Sequence, residues 1–170
     1  MARRFLTLVF GMFIDSIRSD DWPHIVAIQA QVYTEFEPER LCVLQQKWQL
    51  SPETCFVVRN ELGQALAYLL SHPWQGDSPP HLDQTLSTEL VKGDCLYLHD
   101  LAVSPTLKGQ GAGKALFAAL LNAADEFSKM QLIAVQNASS YWQKHQFIRL
   151  KSAPTCYGSG AQLMERVLNH

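Results

Sequence analysis

Three glycines, at positions 109, 111 and 113, stand between an apolar run and a helical pattern in "LYLHDLAVSPTLKGQGAGKALFAALL", residues 96–121. Glycine costs order at a helix entrance, so three of them need a reason. A strand that ends in a glycine-rich turn and feeds a helix aims several backbone N–H groups at one point. Those first-turn donors have no intrahelical partner, and the helix dipole adds partial positive charge. The product is a phosphate site made largely of main chain, and Lys108 and Lys114 flank it with full charges. Two nucleotide-binding loops fail on spacing. A Walker loop requires glycine where Lys108 stands and a hydroxyl residue where Ala115 stands. The dinucleotide fingerprint fails because the glycines alternate.

The chain around this motif has 170 residues, near the usual size of one domain. Its 47% apolar and 18% charged residues suit a globular protein, and a net charge of -2 argues against a nucleic-acid binder or a polybasic membrane anchor. Cys42, Cys55, Cys95 and Cys156 are scattered without a C-x-x-C pair. Reduced thiols in a cytoplasmic protein and no metal site are the expectation. The N-terminus, "MARRFLTLVFGMFIDS", mimics the start of a signal peptide, but no small-residue cleavage site follows. Its apolar run is too short to span a bilayer. Residues 1–11 therefore read as an extension or misplaced start, with the domain over 12–170.

The elements that must carry the motif follow from periodicity. Phe13 to Arg18 alternates as a strand, and Ser19-Asp20-Asp21 caps a helix whose apolar face is Trp22, Ile25, Ile28 and Val32. A turn through Pro38 leads to a second helix that ends before Ser51-Pro52. Strands at Cys55–Arg59 and Gln64–Ser71 form a hairpin around Asn60–Gly63. The polar, Pro-rich stretch "HPWQGDSPPHLDQTLSTELVKGD" is long enough to be a functional loop. Then come the strand "CLYLHDLAV" and a helix over Ala112–Phe127 with the stripe Leu116, Leu120, Ala124 and Phe127. "QLIAVQNA" reads as a strand, "SSYWQKHQF" as one or two helical turns, and "QLMERVL" as the last strand. With one further strand, its bounds unassigned, between the last helical turns and "QLMERVL", the order β-α-α-β-β-β-α-β-α-β-β is that of an α+β protein, with a mixed, mostly antiparallel sheet flanked by helices.

The segment Lys108-Gly109-Gln110-Gly111-Ala112-Gly113 resembles the pyrophosphate-binding signature of the GCN5-related N-acetyltransferase family, which is Arg or Gln, two residues, Gly, one residue, Gly or Ala. "NASSYWQKHQF" is similar to that family's Asn-x-x-Ala-x-x-Phe-Tyr-x-x-x-Gly-Phe segment, with Asn137, Tyr141, Trp142, Lys144 and Phe147 in register. The resemblance implies an acyl-CoA N-acyltransferase fold and acetyl-CoA as co-substrate, bound through 108–114, Asn137, Tyr141 and Lys144. It also implies that the backbone of Leu101, Ala102 and Val103 pairs with the pantetheine arm, and that an N–H near Leu101 faces the thioester oxygen.

The implied reaction is direct attack by an amine on the thioester. A lysine-like amine is neutral in only about one molecule in a thousand at neutral pH, so a base is required. "LYLHDLAV" resembles the Tyr-Leu-Glu-Asp strand of small-amine acetyltransferases, with His99 at the base position and Asp100 beside it. Ordinary strand alternation would send the two to opposite faces. The family's acid, a tyrosine, falls on Trp142, whose indole has no useful proton, so Tyr141 is the candidate acid. Glu35, Glu37 and Glu39 form an acidic stretch that could draw a cationic amine, and Trp74, with His72, could line a pocket. The expectation is an N-acetyltransferase acting on a small primary amine. A non-catalytic acyl-CoA-binding regulator and a protein N-terminal or lysine acetyltransferase stand as alternatives, and a homodimer is left open.

Overall fold

The computed structural model describes residues 11–75 and 78–169. The reading of residues 1–10 as an extension lies outside the described residues. The described strands are β1 (Phe13–Ser16), β2 (Phe56–Arg59), β3 (Ala65–Trp74), β4 (Cys95–Val103), β5 (Lys129–Ala134), β6 (Ile148–Ser152) and β7 (Gln162–Val167). They form one sheet in the order β1-β2-β3-β4-β5-β7-β6. All neighbours are antiparallel except β4 and β5. Helices α1 (Trp22–Val32) and α2 (Leu41–Leu50) cover one face, and α3 (Ala112–Asn122) and α4 (Ser139–Lys144) cover the other.

Two cores follow from this layering. Leu116, Phe117 and Leu120 of α3 pack on Leu96, Leu98 and Met130, while Ile25 and Ile28 of α1 and Leu44 of α2 pack on Val57, Tyr68 and Leu70. The α3 stripe is as the spacing predicts, but the helix stops at Asn122, short of Phe127. Asp125 and Glu126 would meet the negative end of the helix dipole, and the chain must turn there so that Ser128 can donate to the Asp94 carbonyl at 2.8 Å. Strand β3 runs three residues further than the sequence suggests, through Pro73. Pro73 lies beyond the last β2 pairing, Phe56 with Leu69, so β2 does not ask for its missing N–H.

Two irregularities position the site. The β3–β4 register steps from Leu70 opposite Asp100 to Ser71 opposite Leu98, which leaves His99 as the extra residue of a β-bulge. In addition, β4 pairs with β5 only from Cys95 to Tyr97. Past Tyr97 the two strands part, and a cleft opens between them.

Candidate active site

The bulge decides which way two side chains face. Leu96 and Leu98 join the α3 core, as do Leu101 and Val103. Asp100 and Ala102 face α1 and α2 instead, and so does His99, because the extra residue breaks the alternation. His99 and Asp100 therefore share one face, contrary to simple strand periodicity.

His99 is held from the α2 side. Its Nε2 lies 2.5 Å from Glu39 Oε1, and Lys47 Nζ lies 2.8 Å from Glu39 Oε2. All three side chains are enclosed, at 1%, 3% and 0% exposure for His99, Glu39 and Lys47. Burial pushes the Glu39 carboxyl up, but His99 and then Lys47 outweigh burial and hold it well below the usual carboxylate range. An ionised Glu39 requires that His99 Nε2 carry the hydrogen, so the 3.1 Å approach of Lys47 Nζ to Nε2 is a contact between two donors. His99 Nδ1 is left buried with no partner among the described residues. Behind it His72 is fully buried, with its Nδ1–H on the Pro73 carbonyl at 2.9 Å. Burial, reinforced by His99, lowers its pKa to about 3, so it stays neutral.

Glu39 owes its position to a reciprocal amide pair. Gln29 of α1 donates to the Glu39 carbonyl at 3.1 Å and accepts from the Glu39 N–H at 2.9 Å. Asp100 is held separately. It accepts from the Tyr33 hydroxyl and, at 2.5 Å, from the Tyr68 hydroxyl. Burial raises its pKa, and the neighbouring His99 and tyrosine hydroxyls pull it back only in part. Burial likewise keeps both phenols protonated, with Asp100 adding to the effect.

The cleft has a volume of about 220 Å³. His99, Asp100 and Leu101 line one side, Leu132 and Trp142 the other, with Tyr33 and Glu39 from the α1–α2 connection also in the lining. Leu82 and Tyr157 close it from above. The open edge of β4 has a definite polarity. Ser104 N–H donates to the Leu66 carbonyl at 2.8 Å, so in the antiparallel alternation that follows, the 68–102 pair is hydrogen-bonded and the 69–101 and 67–103 pairs are not. The N–H and C=O groups of Leu101 and Val103 thus face the cleft, whereas those of Ala102 belong to β3. An edge strand offers the backbone of alternate residues only, so within Leu101 to Val103 the available groups are those of Leu101 and Val103.

The glycine segment lies at the end of that edge. Gly111 caps α3 with φ +81, a left-handed conformation that glycine adopts freely. Ala115 N–H makes the first helical bond, to the Gly111 carbonyl at 3.0 Å, so the amides before it are free of helical partners. A Cβ at Gly109 or Gly111 would meet nothing within 4 Å, while one at Gly113 would come within 3.3 Å of Tyr141 Oη and 3.5 Å of Leu101 Cδ2. The space before the helix is open, and α3 lies close against β4. Lys108 and Lys114 are exposed beside it, as are Asn137, with φ +63, and Lys144. The Gln110 side chain is turned back to the Thr106 carbonyl at 3.2 Å.

The remaining expected site residues lie elsewhere. Tyr141 does not line the cleft; its hydroxyl sits beside Gly113, on the glycine-segment side. Trp142 lines the cleft, packed on Phe117 and Phe147. Glu37 is exposed and Glu35 lies against Gly158, both outside the lining. Trp74 donates to the Ser78 carbonyl at 3.0 Å and is buried beneath the long loop with Leu86, away from the cleft. Tyr33, Lys47 and Tyr68 had no signal in the sequence, since each is one more residue on an amphipathic stretch. Among the described residues no group of three or more His, Cys, Asp or Glu is placed to hold a metal ion. No described helix is long and apolar enough to cross a membrane.

Comparison with known proteins agrees with the fold. The profile of the acetyltransferase (GNAT) family matches residues 14–147. A sequence search of curated proteins finds no match. Among solved structures, the chain is similar to the loading GNATL domain of CurA from Lyngbya majuscula, at TM-score 0.78 and 12% identity over 92% of this chain and 98% of that one. It is also similar to Ard1 from Thermoplasma volcanium, at TM-score 0.75 and 15% identity over 94% and 99%. Naa50 from Arabidopsis thaliana, in complex with a bisubstrate analogue, superposes at TM-score 0.69 and 10% identity over 92% and 98%. With a family match across most of its length and a seven-stranded sheet that splays beside a glycine-capped helix, the chain belongs to the GNAT acetyltransferase family.

Proposed function

We propose that the protein transfers the acetyl group of acetyl-CoA to the primary amine of a small molecule. One observation carries the reading: the free edge of β4 runs from the open amides of the glycine segment to the cleft that holds the Glu39–His99 pair. The amides of 109 and 111–114, with Lys108 and Lys114, are suited to the pyrophosphate, while the Gln110 N–H is taken by the Leu107 carbonyl at 3.1 Å. Asn137, Tyr141 and Lys144 flank the segment. The Leu101 and Val103 backbone groups pair with the pantetheine arm as an added strand would. The Leu101 N–H then faces the thioester oxygen and stabilises the charge that builds there.

In this reading the amine enters the cleft from the Glu39 side. His99 Nδ1, the ring nitrogen without a partner, takes the amine proton directly or through one water. Glu39 fixes the tautomer and steadies the imidazolium that forms, as an orienting carboxylate does for other histidine bases. The nitrogen attacks the carbonyl carbon, the C–N bond forms, and the C–S bond breaks. A small acceptor is favoured because the cleft is roofed. Tyr157 donates to the Pro80 carbonyl, and Asp83 N–H donates to Glu39 Oε2 at 2.8 Å, so two loops close over the amine end. The 220 Å³ enclosed is below the roughly 300–1,000 Å³ typical of drug-sized sites. Glu35 and Glu37, exposed on the same turn, favour a cationic amine at the mouth.

The test is free-thiol release from acetyl-CoA with a panel of polyamines, amino sugars, amino acids and short peptides. Turnover with a small amine above every peptide is the expected result. Coenzyme binding without release to any amine would instead favour an acyl-CoA-binding regulator.

A further inference from the structure

Around Asp100 three acceptors, its two carboxyl oxygens and the cleft-facing Leu101 carbonyl, share two phenol hydrogens. Tyr33 Oη lies within bonding distance of Asp100 Oδ1 and 3.1 Å from the Leu101 carbonyl, while Tyr68 Oη lies 2.5 Å from Asp100 Oδ2. Each phenol has one hydrogen. The Leu101 carbonyl receives nothing from β3, because the 69–101 pair is not hydrogen-bonded. An ionised Asp100 would take both hydroxyl hydrogens and leave that carbonyl to donors from the cleft alone. A protonated Asp100 resolves the count: Oδ1–H donates to Tyr33, Tyr33 donates to the Leu101 carbonyl, and Tyr68 donates to Oδ2. Burial acts in the same direction, since Asp100 is 6% exposed and no Lys or Arg pairs with it among the described residues.

The cleft also lacks an acid for the leaving group. Trp142 lines it where the resemblance places a tyrosine, and the Tyr141 hydroxyl lies at Gly113, outside the lining. Tyr33 does line it, next to the free edge at Leu101. We propose that Asp100 holds a proton in the resting protein and delivers it, through the Tyr33 hydroxyl, to the sulfur of the departing coenzyme. This deepens the transferase reading and rests on it.

The step balances. As the C–S bond breaks, its electron pair stays on sulfur, Tyr33 Oη gives its hydrogen to that sulfur, and Asp100 Oδ1 gives its own to Tyr33. The coenzyme leaves as the thiol, and Asp100 remains as a carboxylate that accepts from Tyr33 and Tyr68. The proton taken from the amine sits on His99 and returns to Asp100 through water once the products leave. Four titratable groups face Asp100: Tyr33 from the end of α1, Tyr68 from β3, His99 from its own strand, and Glu39 from the turn before α2, whose charge Lys47 matches. A proton gained at His99 favours loss of the one at Asp100, so the two transfers assist each other.

Two measurements test this. Infrared spectra of the purified full chain should show the carbonyl stretch of a protonated carboxyl at neutral pH, lost in Asp100→Asn and lost from the wild type on alkaline titration. Absence of that band overturns the proposal, with or without a transferase activity. Tyr33→Phe should lower kcat about 100-fold or more and remove the alkaline limb of the kcat profile, with acetyl-CoA affinity by calorimetry within about threefold of wild type. An unchanged kcat, or a loss of kcat matched by an equal loss of affinity, overturns it. If no amine is turned over at all, proton delivery falls with the transferase reading, while the band still reports where the proton lies.

Discussion

Glu39 and Lys47 bear more on His99 than its own neighbours in sequence do. A carboxylate at 3% exposure is tolerable because an ammonium and an imidazole N–H fill its oxygens. On the proposed role of His99 as base, His99→Gln should lower kcat by about 10²–10⁴, read as thiol release at saturating acetyl-CoA. Glu39→Gln leaves Lys47 buried without a counter-charge and should destabilise the fold by about 3–5 kcal/mol in urea unfolding. The pH dependence has a definite sign. The folded pKa of Glu39 lies below its unfolded value of about 4.3, so its stabilisation is complete above that value and is lost as the pH falls towards the folded pKa. Glu39→Gln should flatten that acid limb of the stability curve.

At the level of elements, the proposed function assigns the coenzyme to the entrance of α3 and the acceptor to the bulge of β4. Gly111 has no neighbour in the direction of a Cβ, so Gly111→Val is strained by its φ of +81 alone, about 1–2 kcal/mol for a left-handed residue. The new side chain fills the space before the helix. Calorimetry should therefore show acetyl-CoA binding lost while the chain still unfolds cooperatively. The glycine segment was legible in the sequence because its signal is contiguous: strand, turn and helix follow one another, and backbone amides need no distant partner. The bulge was not. It is an offset between β3 and β4, visible only once Leu70 is paired with Asp100 and Ser71 with Leu98.

Over the whole molecule, the long loop between β3 and β4 is tied to the start of α2, beside Glu39. Arg40 Nε and N–H each donate to the Asp83 carboxylate at 2.8 Å, and Gln46 exchanges two hydrogen bonds with the Leu86 backbone. The Arg40 side chain is 67% exposed, so Arg40→Ala should cost less than about 1 kcal/mol in stability. It loosens the roof over the amine, and the expected result is an acceptor KM raised about 3- to 10-fold with kcat nearly unchanged, measured against acetyl-CoA at saturation.

By itself the sequence determined most of the element order, the α+β class and the glycine-capped entrance of α3, because each of these is written in neighbouring residues through periodicity and backbone geometry. It also singled out His99 and Asp100, but not their shared face. The tertiary structure alone decided that Glu39 turns inward while Glu35 and Glu37 stay outside, that Trp74 anchors a loop, and that Tyr33, Tyr68 and Lys47 join the site. The placement of His99 and Asp100 among them depends on contacts between residues 32 to 67 positions apart, whose cost in burial and hydrogen bonding is settled only when distant elements pack together.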